Sequence, residues 1–496
     1  MRYISTRDGV LRVSAQDAIV RGLAEDGGLY TPEVLPNFTA HAFESMRDMA
    51  YQQRAVFVMN AFLDDFAAGE LSSFAEKAYG TDKFDSPAIA PLRRVTDGVS
   101  CLELWHGPTS AFKDMALQML PHLLSASLVK TGEERSVLIL VATSGDTGKA
   151  ALEGFRDVDG TAILVFYPKD GVSRVQELQM VTQEGKNVGV CSVRGNFDDA
   201  QTGVKAIFSD VSLRKTLSKR GWFLSSANSI NWGRVLPQIV YYVSAYCDLL
   251  NQGTLVPGEK FNVCVPTGNF GNILSAYYAK SMGVPIGRLV CASNRNDVLT
   301  DFINTGVYDR NRPFYNTLSP SMDILVSSNL ERLLYGLSEG GAEEVREYMS
   351  SLAETGRYEV DETVKKKISR LFWAGSCDDA LTRETIAAVW KEHGYLIDPH
   401  TAVAFHVFKQ YRKETGDTAP GLVVSTASPF KFCDSVLPAI GVSPVSSGTD
   451  LIGELSAAAG IAPPKNLAAL GSKPVRFTGV TEKDGMTREV LKMLER

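Results

Sequence analysis

The sequence lacks the features that mark a membrane protein or a nucleic-acid-binding protein. Its longest apolar runs, such as Val137–Ala142 and Ala162–Tyr167, have the length of a strand, whereas a membrane-spanning helix needs about 20 apolar residues. No run of lysines and arginines occurs, and the formal net charge is −6. These absences predict a chain that does not span a membrane and has neither nucleic acid nor a membrane surface as a partner.

Cysteine is scarce, and several ligand-binding signatures are missing. The seven cysteines include no Cys-x-x-Cys pair, which favours buried, reduced thiols in a cytoplasmic enzyme over a zinc site or a disulfide framework.

The opening segment Met1–Arg7 carries no apolar core of a signal peptide, as expected of a protein that stays in the cytoplasm. The Walker phosphate loop does not occur in the sequence, so we expect no phosphate site of that type.

The sequence does contain a change in its residue pattern near residue 100. At 496 residues the chain is long enough for two or three domains, and residues 1–95 look mainly helical. Beyond them, short β-branched runs alternate with polar loops and helices, a pattern typical of parallel sheets covered on both faces. We predict an α/β fold with two doubly wound, mostly parallel sheets. The smaller domain would span 96–240, and the larger 241–496 with a helical insertion at about 300–395.

Lys113 stands where a loop is expected to become a helix. Residues 107–110 carry loop and N-cap chemistry, and beyond them apolar residues recur at helical spacing. Burial among apolar neighbours disfavours the ammonium form and lowers the pKa of a lysine. A neutral amine is what Schiff-base chemistry with an aldehyde cofactor requires. A lysine whose stem packs on the core while its charge reaches solvent fits the same residues about equally well.

Three polar loops follow predicted strands, and ligands of parallel sheets bind at the carboxyl ends of strands. The loops and the strands before them are Thr143–Gly148 after Val137–Ala142, Pro266–Gly271 after Phe261–Val265, and Ser425–Phe430 after Gly421–Val424. Backbone N–H groups where the second loop enters a helix suit a phosphate, and the hydroxyls of the first loop suit a carboxylate or a phosphate. Taken alone, the second loop fits an ordinary strand-to-helix turn about as well, and the first fits a simple helix cap about as well.

Two other motifs are weakened by their context. Gly336-Leu-Ser-Glu-Gly340 fits the nucleophile-elbow pattern of hydrolases, but Leu330–Tyr335 before it has the pattern of a helix instead of a strand. His400 and His406 lie six residues apart and would not share a helix face. We therefore expect structural histidines here, and we predict no metal site.

The segments together resemble the threonine synthases, which are pyridoxal-phosphate enzymes of the tryptophan-synthase-β fold type. The matching segments, in the order of the family, are Arg2–Arg7, Gly22–Tyr30, His106–Gln118, Thr143–Gly148, Asn228–Arg234 and Pro266–Asn272. Each motif alone is moderately specific, whereas the ordered set covers nearly the whole chain and is highly specific. The resemblance implies a type II fold and pyridoxal 5′-phosphate as cofactor.

The resemblance also implies roles for individual residues. Lys113 would be the catalytic lysine that forms the Schiff base, and the other cofactor-binding positions would be Gly268, Asn269, Phe270 and Asn272 at the phosphate, Thr426 at the pyridine nitrogen and Asp146 at the ring edge. The substrate-binding positions would be Thr143, Ser144 and Thr147 at the α-carboxylate, and Asn228, Ser229 and Arg234 at the phosphate. An anionic Asp146 beside a carboxylate is unfavourable, which favours backbone N–H groups and hydroxyls as ligands of that anion.

The reaction implied is the last step of threonine biosynthesis, from O-phospho-L-homoserine and water to L-threonine and phosphate. Lys113 would move the protons of a γ-elimination and a β-addition of water. The small-molecule substrate would be handled by a monomer or homodimer in the cytoplasm. A dehydratase or phospho-amino-acid lyase on the same scaffold, or a cofactor-binding homologue without synthase activity, are the alternatives.

The sequence departs from the family pattern in places. Ser428 and Phe430 replace residues common in the third loop, while Lys431 is kept. Lys149 stands where a small residue is common and is expected either to add positive potential or to point to solvent.

Overall fold

The structure is a computed structural model that describes residues 1–339 and 341–495. Its strands are β1 (Tyr3–Ser5), β2 (Arg12–Val13), β3 (Tyr30–Pro32), β4 (Leu92–Thr96), β5 (Val99–Glu103), β6 (Ser136–Ala142), β7 (Thr161–Pro168), β8 (Val188–Val193), β9 (Trp222–Ser225), β10 (Phe261–Pro266), β11 (Ile286–Ser293), β12 (Val307–Asp309), β13 (Arg357–Glu359), β14 (Phe372–Ser376), β15 (Gly421–Ser425) and β16 (Val480–Thr481).

The α-helices are α1 (Ala15–Arg21), α2 (Ala40–Met46), α3 (Tyr51–Asn60), α4 (Ala68–Ala78), α5 (Asp114–Leu117), α6 (Leu120–Thr131), α7 (Asp146–Phe155), α8 (Arg174–Val181), α9 (Phe197–Ser209), α10 (Val211–Lys219), α11 (Trp232–Asn251), α12 (Gly271–Ser281), α13 (Val298–Thr305), α14 (Leu330–Leu337), α15 (Gly341–Thr355), α16 (Glu362–Leu371), α17 (Asp379–His393), α18 (Pro399–Thr415), α19 (Cys433–Ala439), α20 (Asp450–Ala459), α21 (Lys465–Ala468) and α22 (Met486–Met493). Short 3₁₀ turns include Pro320–Met322 and Pro429–Lys431. In the described part of the chain, no helix is both long enough and apolar enough to cross a membrane.

Two sheets organise the fold, as the alternation of strands and helices predicts. The larger has the strand order β14-β11-β10-β15-β5-β4 and is parallel except for the β4–β5 pair. The smaller has the order β16-β8-β7-β6-β9 and is parallel throughout. Parallel strands are buried on both faces, which explains why their sequences are nearly continuous apolar runs.

Helices cover both faces of each sheet. On the smaller sheet, Val137 and Ile139 lie in one apolar cluster with α7, whereas Leu138 and Leu140 lie in another with α9, α10 and α22. On the larger sheet, Val263 and Val265 share a cluster with α11 and α12, while the intervening Cys264 shares one with α18. Successive strand residues point to opposite faces, so each strand serves two cores. The structure is thus the predicted doubly wound α/β fold.

The expected domain ranges remain a prediction, and several strands cross them. Within the range expected for the smaller domain, β5 pairs with β15 of the larger sheet. Near the end of the chain, β16 joins the smaller sheet beside β8. The segment predicted as a helical insertion contributes β14, an edge strand of the larger sheet. The mainly helical N-terminal region also contains the small antiparallel sheet β2-β1-β3. Pairing between distant strands decides these memberships, and local sequence does not report it.

Candidate active site

Lys113 lies inside the protein, immediately before the short helix α5. Its side chain is 11% exposed, and its Nζ lies 3.3 Å from Ser321 Oγ and 4.0 Å from Asp146 Oδ2. The same amine lies 4.9 Å from the centroid of the Phe112 ring. Burial lowers the pKa of Lys113 to about 8, with the positive charges of Lys431 and Arg234 acting in the same direction. A buried amine of this kind is partly neutral near physiological pH.

The loop before Lys113 is tied to the helix that follows it. The hydroxyl and the backbone N–H of Thr109 both donate to the Asp114 carboxylate, at 2.7 and 2.8 Å. Thr109 therefore serves as a donor to the helix's first residue, and the residue at the N-cap position is Lys113 itself. The expectation that residues 107–110 cap this helix was wrong, because the helix begins only at Asp114 and no side chain accepts from its first N–H groups.

The first polar loop, Thr143–Gly148, connects β6 to α7. Thr143 Oγ1 accepts from the N–H groups of Gly145 and Gly148 at 3.0 and 2.9 Å, so this hydroxyl shapes the loop from within. Gly145 has φ 134°, and a Cβ there would lie 2.5 Å from the Gln176 side chain, which explains the glycine. Among the described residues, the N–H groups of Ser144, Asp146 and Thr147 have no hydrogen-bond acceptor. They form an N-terminal helix end suited to an anion.

Asp146 is the most heavily partnered carboxylate of this region. Its Oδ1 lies 2.7 Å from Lys431 Nζ and accepts from Gln176 Nε2 at 3.0 Å. Its Oδ2 accepts from Ser321 Oγ at 3.3 Å. Although burial opposes the charged form, the ammonium groups of Lys431 and Lys113 hold the pKa of Asp146 well below its usual range. These partners therefore favour the carboxylate form of Asp146.

In the second polar loop, between β10 and α12, the carbonyl groups of Gly268 and Asn269 are occupied, whereas the N–H groups from Gly268 onward are free. Ser327 Oγ donates to the carbonyl of Gly268 at 2.7 Å, and Asn329 donates twice to the carbonyl of Asn269, at 3.1 Å each time. In the described part of the chain, no backbone N–H from Gly268 to Asn272 finds an acceptor, and neither does Asn272 Nδ2. We call this group of donors the amide cradle.

The geometry of the amide cradle depends on two further features. Phe270 adopts the left-handed conformation at φ 63°, which is rare for a bulky residue and marks a locally strained turn. A Cβ on Gly268 would lie 2.6 Å from the carbonyl oxygen of Ser321, so only glycine fits under that segment. Asn272 is oriented by Tyr241 and Tyr242, whose hydroxyls both donate to its Oδ1 at 2.6 Å. The amide nitrogen of Asn272 is thereby left available to a ligand.

Arg234 lies beside the amide cradle, in the first turn of α11. Its guanidinium donates to the carbonyl of Ala227, while its Nε has no partner among the described residues. Burial lowers the pKa of Arg234 to about 10, so it remains a cation. A Cβ on Gly271 would lie 3.7 Å from Ser229 Cβ, which places the Asn228–Arg234 segment against the cradle. The two candidate anion sites are therefore neighbours.

The third loop, after β15, runs beside the lysine loop. The N–H of Phe112 donates to the carbonyl of Thr426 at 2.8 Å, and the N–H of Ser428 donates to the carbonyl of Ser110 at 3.1 Å. Lys431 Nζ donates to the carbonyl of Thr109 at 3.0 Å. Thr426, Ser428 and Phe430 are all buried. The third loop thus braces the segment that carries Lys113.

The sequence analysis assigned no role in the site to three participants, which are Ser321, His400 and Lys431. Ser321 contacts Lys113 and Asp146, and its backbone N–H donates to His400 Nε2 at 3.2 Å. Because Nε2 accepts, the proton of this imidazole sits on Nδ1, which lies 2.7 Å from Asp398 Oδ1. Lys431 is the third, and its position between Phe430 and Phe432 was a usable signal, since a lysine among aromatic residues must find a buried partner. No local signal marks Ser321.

The nucleophile-elbow motif and the pair His400 and His406 were the two competing motifs of the sequence. Ser338 follows helix α14, as the sequence predicts, and Gly340 of the same motif lies outside the described residues. His400 and His406 both belong to α18, and no group of three metal-ligating side chains occurs among the residues described. Lys149 fits neither expectation, since its ammonium lies 3.1 Å from Glu153 and also bonds the Gln183 side chain in the interior. The buried Glu153 carboxylate draws it inward.

Family models match the chain in three consecutive parts. They are described as Threonine synthase N terminus over residues 2–79, Pyridoxal-phosphate dependent enzyme over 78–365, and Threonine synthase, C-terminal over 401–490. The threonine synthase of Pseudomonas aeruginosa is 41% identical over 446 residues, which are 90% of this chain and 92% of that protein. The chain belongs to the threonine synthase family.

Other members of the family agree with this placement. Threonine synthase-like 1 of Homo sapiens is 39% identical over 458 residues, or 90% of this chain, and the chain spans 61% of that relative's length. A solved structure of pyridoxal-phosphate-bound threonine synthase from Brucella melitensis superposes with a TM-score of 0.88 at 37% identity, with all of both chains covered. The predicted fold class and the family resemblance are both confirmed.

The residues present fit pyridoxal phosphate, the cofactor of the matching enzyme family. A phosphate needs several donors, and the amide cradle offers the free N–H groups at the start of α12 together with Asn272 Nδ2. An aldehyde needs a neutral amine, which burial makes available at Lys113.

Proposed function

We propose that this protein is a threonine synthase, which converts O-phospho-L-homoserine and water into L-threonine and phosphate. Two observations carry the proposal. Ser321 contacts Lys113 and also lies against Gly268 of the amide cradle, and Arg234 is near enough to Lys113 to lower its pKa. One anion site suffices for a cofactor phosphate. The second suits a substrate that carries its own phosphate, which a plain dehydratase would not need.

The cofactor would be held by residues from all three polar loops. Lys113 would bind its aldehyde carbon, the segment Gly268–Asn272 its phosphate, and Thr426 its pyridine nitrogen, with Asp146 at the ring edge. Bound pyridoxal phosphate supplies an electron sink that stabilises negative charge on the amino-acid carbons. Thr426 would present a neutral hydroxyl, not a carboxylate, to the ring nitrogen. A hydroxyl stabilises the protonated form of that nitrogen less than a carboxylate would.

The substrate would be gripped at both ends. The free N–H groups and hydroxyls of Ser144 and Thr147 suit its α-carboxylate, whereas Thr143 acts by shaping that loop. The carboxylate of Asp146 is already balanced by Lys431, which removes much of its repulsion toward a second carboxylate. Asn228, Ser229 and Arg234 would hold the phosphate, with Arg234 donating through its unpartnered Nε.

Lys113 would act as the proton carrier. Its neutral amine would remove the proton from Cα of the substrate and then one from Cβ, and phosphate would leave from Cγ. A proton returned to Cγ, the hydroxyl of water added at Cβ and a proton returned to Cα would complete L-threonine. The remaining proton would leave with the phosphate, so atoms and charge balance. A pKa of about 8 lies near the pH of the cell, where an amine both accepts and returns protons efficiently.

The test is the release of threonine and phosphate from O-phospho-L-homoserine by the purified, cofactor-loaded protein. We expect equal amounts of the two products. Phosphate released together with 2-oxobutanoate instead of threonine would identify a phospho-amino-acid lyase. A protein that binds the cofactor and the substrate without turnover would be a non-synthase member of the family.

We further propose a cytoplasmic enzyme that acts as a monomer or homodimer on a small molecule. The seven buried, unpaired cysteines support this location, because reduced thiols persist in the cytoplasm. Sedimentation of the holoenzyme measures its assembly state, and a larger assembly would contradict the proposal.

A further inference from the structure

Two interior lysines lie beside the carboxylate of Asp146, each at a different oxygen. Lys431 Nζ lies 2.7 Å from Oδ1, whereas Lys113 Nζ lies 4.0 Å from Oδ2. Between Lys113 and Oδ2 stands the hydroxyl of Ser321, which accepts from Lys113 at 3.3 Å and donates to Oδ2 at 3.3 Å. The short ionic contact thus belongs to Lys431, and Lys113 has only the longer one.

Lys431 is held in this place by more than Asp146. It closes the 3₁₀ turn Pro429–Lys431, and its side chain is 0% exposed. Its ammonium also donates to the carbonyl of Thr109, in the loop that leads to Lys113. A buried ammonium is tolerated only where a carboxylate and further acceptors surround it, and these two acceptors lie on the two loops that meet at Lys113.

The charges around Lys113 explain what this arrangement achieves. The groups that act on its amine are the carboxylates of Asp146 and Asp114 and the cations of Lys431 and Arg234. With Lys431 absent, Asp146 would be a buried carboxylate whose nearest cation is Lys113. A buried carboxylate stabilises the protonated form of its partner strongly. The lysine that must be neutral would then be held charged.

We propose that Lys431 is a positioning residue that acts as the counterion of Asp146. Because Asp146 is paired with Lys431, the amine of Lys113 has no close carboxylate partner of its own. One lysine carries the permanent charge of the pair, and the other is free for carbonyl chemistry and proton transfer. This role rests on the proposed function of Lys113. It does not depend on which substrate the enzyme takes.

The test is the pH dependence of the Lys113 amine in the cofactor-free protein. An amine-acylating reagent is applied across pH 6–11, and labelling of Lys113 is quantified by peptide mass spectrometry. Wild-type labelling should be half-maximal near pH 8, the pKa of Lys113. In Lys431→Met the half-point should rise by at least about one pH unit, so that labelling at pH 7.5 slows about tenfold. Lys431→Arg, which keeps the charge, should stay close to the wild type.

A double variant separates the electrostatic role from a merely structural one. In Lys431→Met/Asp146→Asn the carboxylate closest to Lys113 is removed and only the weaker influence of Asp114 remains, so the half-point should return to the wild-type value or below it. An unshifted profile in Lys431→Met, or an equal upward shift in the single and double variants, would overturn the proposal.

If Lys431→Met does not fold, the single variant Asp146→Asn decides the matter. Lys431 then faces Lys113 without an intervening carboxylate, and the half-point of Lys113 should fall. A half-point that stays in place would contradict the proposal. The function proposed above fails by a different result, namely borohydride attaching the cofactor to another lysine or the absence of threonine synthesis.

Discussion

The two candidate anion sites, the amide cradle and the Arg234 segment, are built from different chemistry. The amide cradle uses backbone N–H groups and one side-chain amide, with no cation from its own segment. The neighbouring site relies on the buried guanidinium of Arg234. A helix end binds an anion through fixed dipoles, whereas an arginine contributes a full charge and a directional fork of donors. The difference matches a phosphate that stays bound in the one site and a phosphate that is cleaved from its carbon in the other.

Removing Lys113 should have the largest effect, because in the proposed function it both binds the cofactor and carries the protons. Lys113→Ala should lower the rate by at least the roughly 10²–10⁴-fold expected for a missing general base, and by more since the covalent attachment is lost too. The measurement is threonine release from the cofactor-supplemented variant. In the wild type, borohydride should fix the cofactor on Lys113, as read by mass spectrometry. Cofactor fixed on another lysine would refute the assignment.

Asn272→Asp tests the cradle with almost no change in shape. Aspartate keeps an acceptor for Tyr241 and Tyr242 but replaces the unpartnered nitrogen by an oxygen that repels a phosphate. The lost charge-assisted hydrogen bond is worth about 1.5–3 kcal/mol, so cofactor affinity should fall more than tenfold. The readout is cofactor titration by absorbance. Equal affinity in the variant and the wild type would remove Asn272 from the phosphate site.

Arg234→Ala should act on the substrate and spare the cofactor. Loss of a charge-assisted contact costs about 1.5–3 kcal/mol, so KM for O-phospho-L-homoserine should rise by about one to two orders of magnitude. Cofactor affinity should change much less. Arg234→Lys keeps the charge without the fork and should give an intermediate KM. A normal KM in the alanine variant would contradict the two-site comparison, as would a large loss of cofactor.

Gly268→Ala should give the smallest of these effects. The new methyl group would meet the Ser321 carbonyl at 2.6 Å and push this segment away from Lys113, at an overpacking cost of about 1–3 kcal/mol. We expect weaker cofactor binding and a lower melting temperature. Gly271→Ala is the matched control, since its methyl group meets nothing closer than 3.5 Å. Equal losses in both variants would show that backbone freedom, and not close approach, explains Gly268.

Much of this site follows from local patterns. The strand–loop–helix units around Thr143–Gly148 and Pro266–Gly271 appear where the apolar runs end, because both the runs and their helix starts have local signatures. The lysine at a helix start is similarly local. Thr143 shows the limit of such reasoning, since its hydroxyl turned out to hold its own loop. Whether a hydroxyl faces inward or toward a ligand depends on the turn that the backbone adopts.

The sequence by itself determined the fold class and the order of the three loops, and it led to the prediction that Lys113 is the reactive lysine. Only the tertiary structure decided which distant side chains surround that lysine. Ser321 lies 208 residues from Lys113 along the chain, and Lys431 reaches Asp146 from the other sheet's loop. Such contacts are set by how the two sheets and their loops pack, and the energy of a buried charge is decided by those neighbours. The local apolar pattern predicts that the pKa of Lys113 is lowered. The charges that act on this pKa come from distant segments and are brought together only in the folded protein.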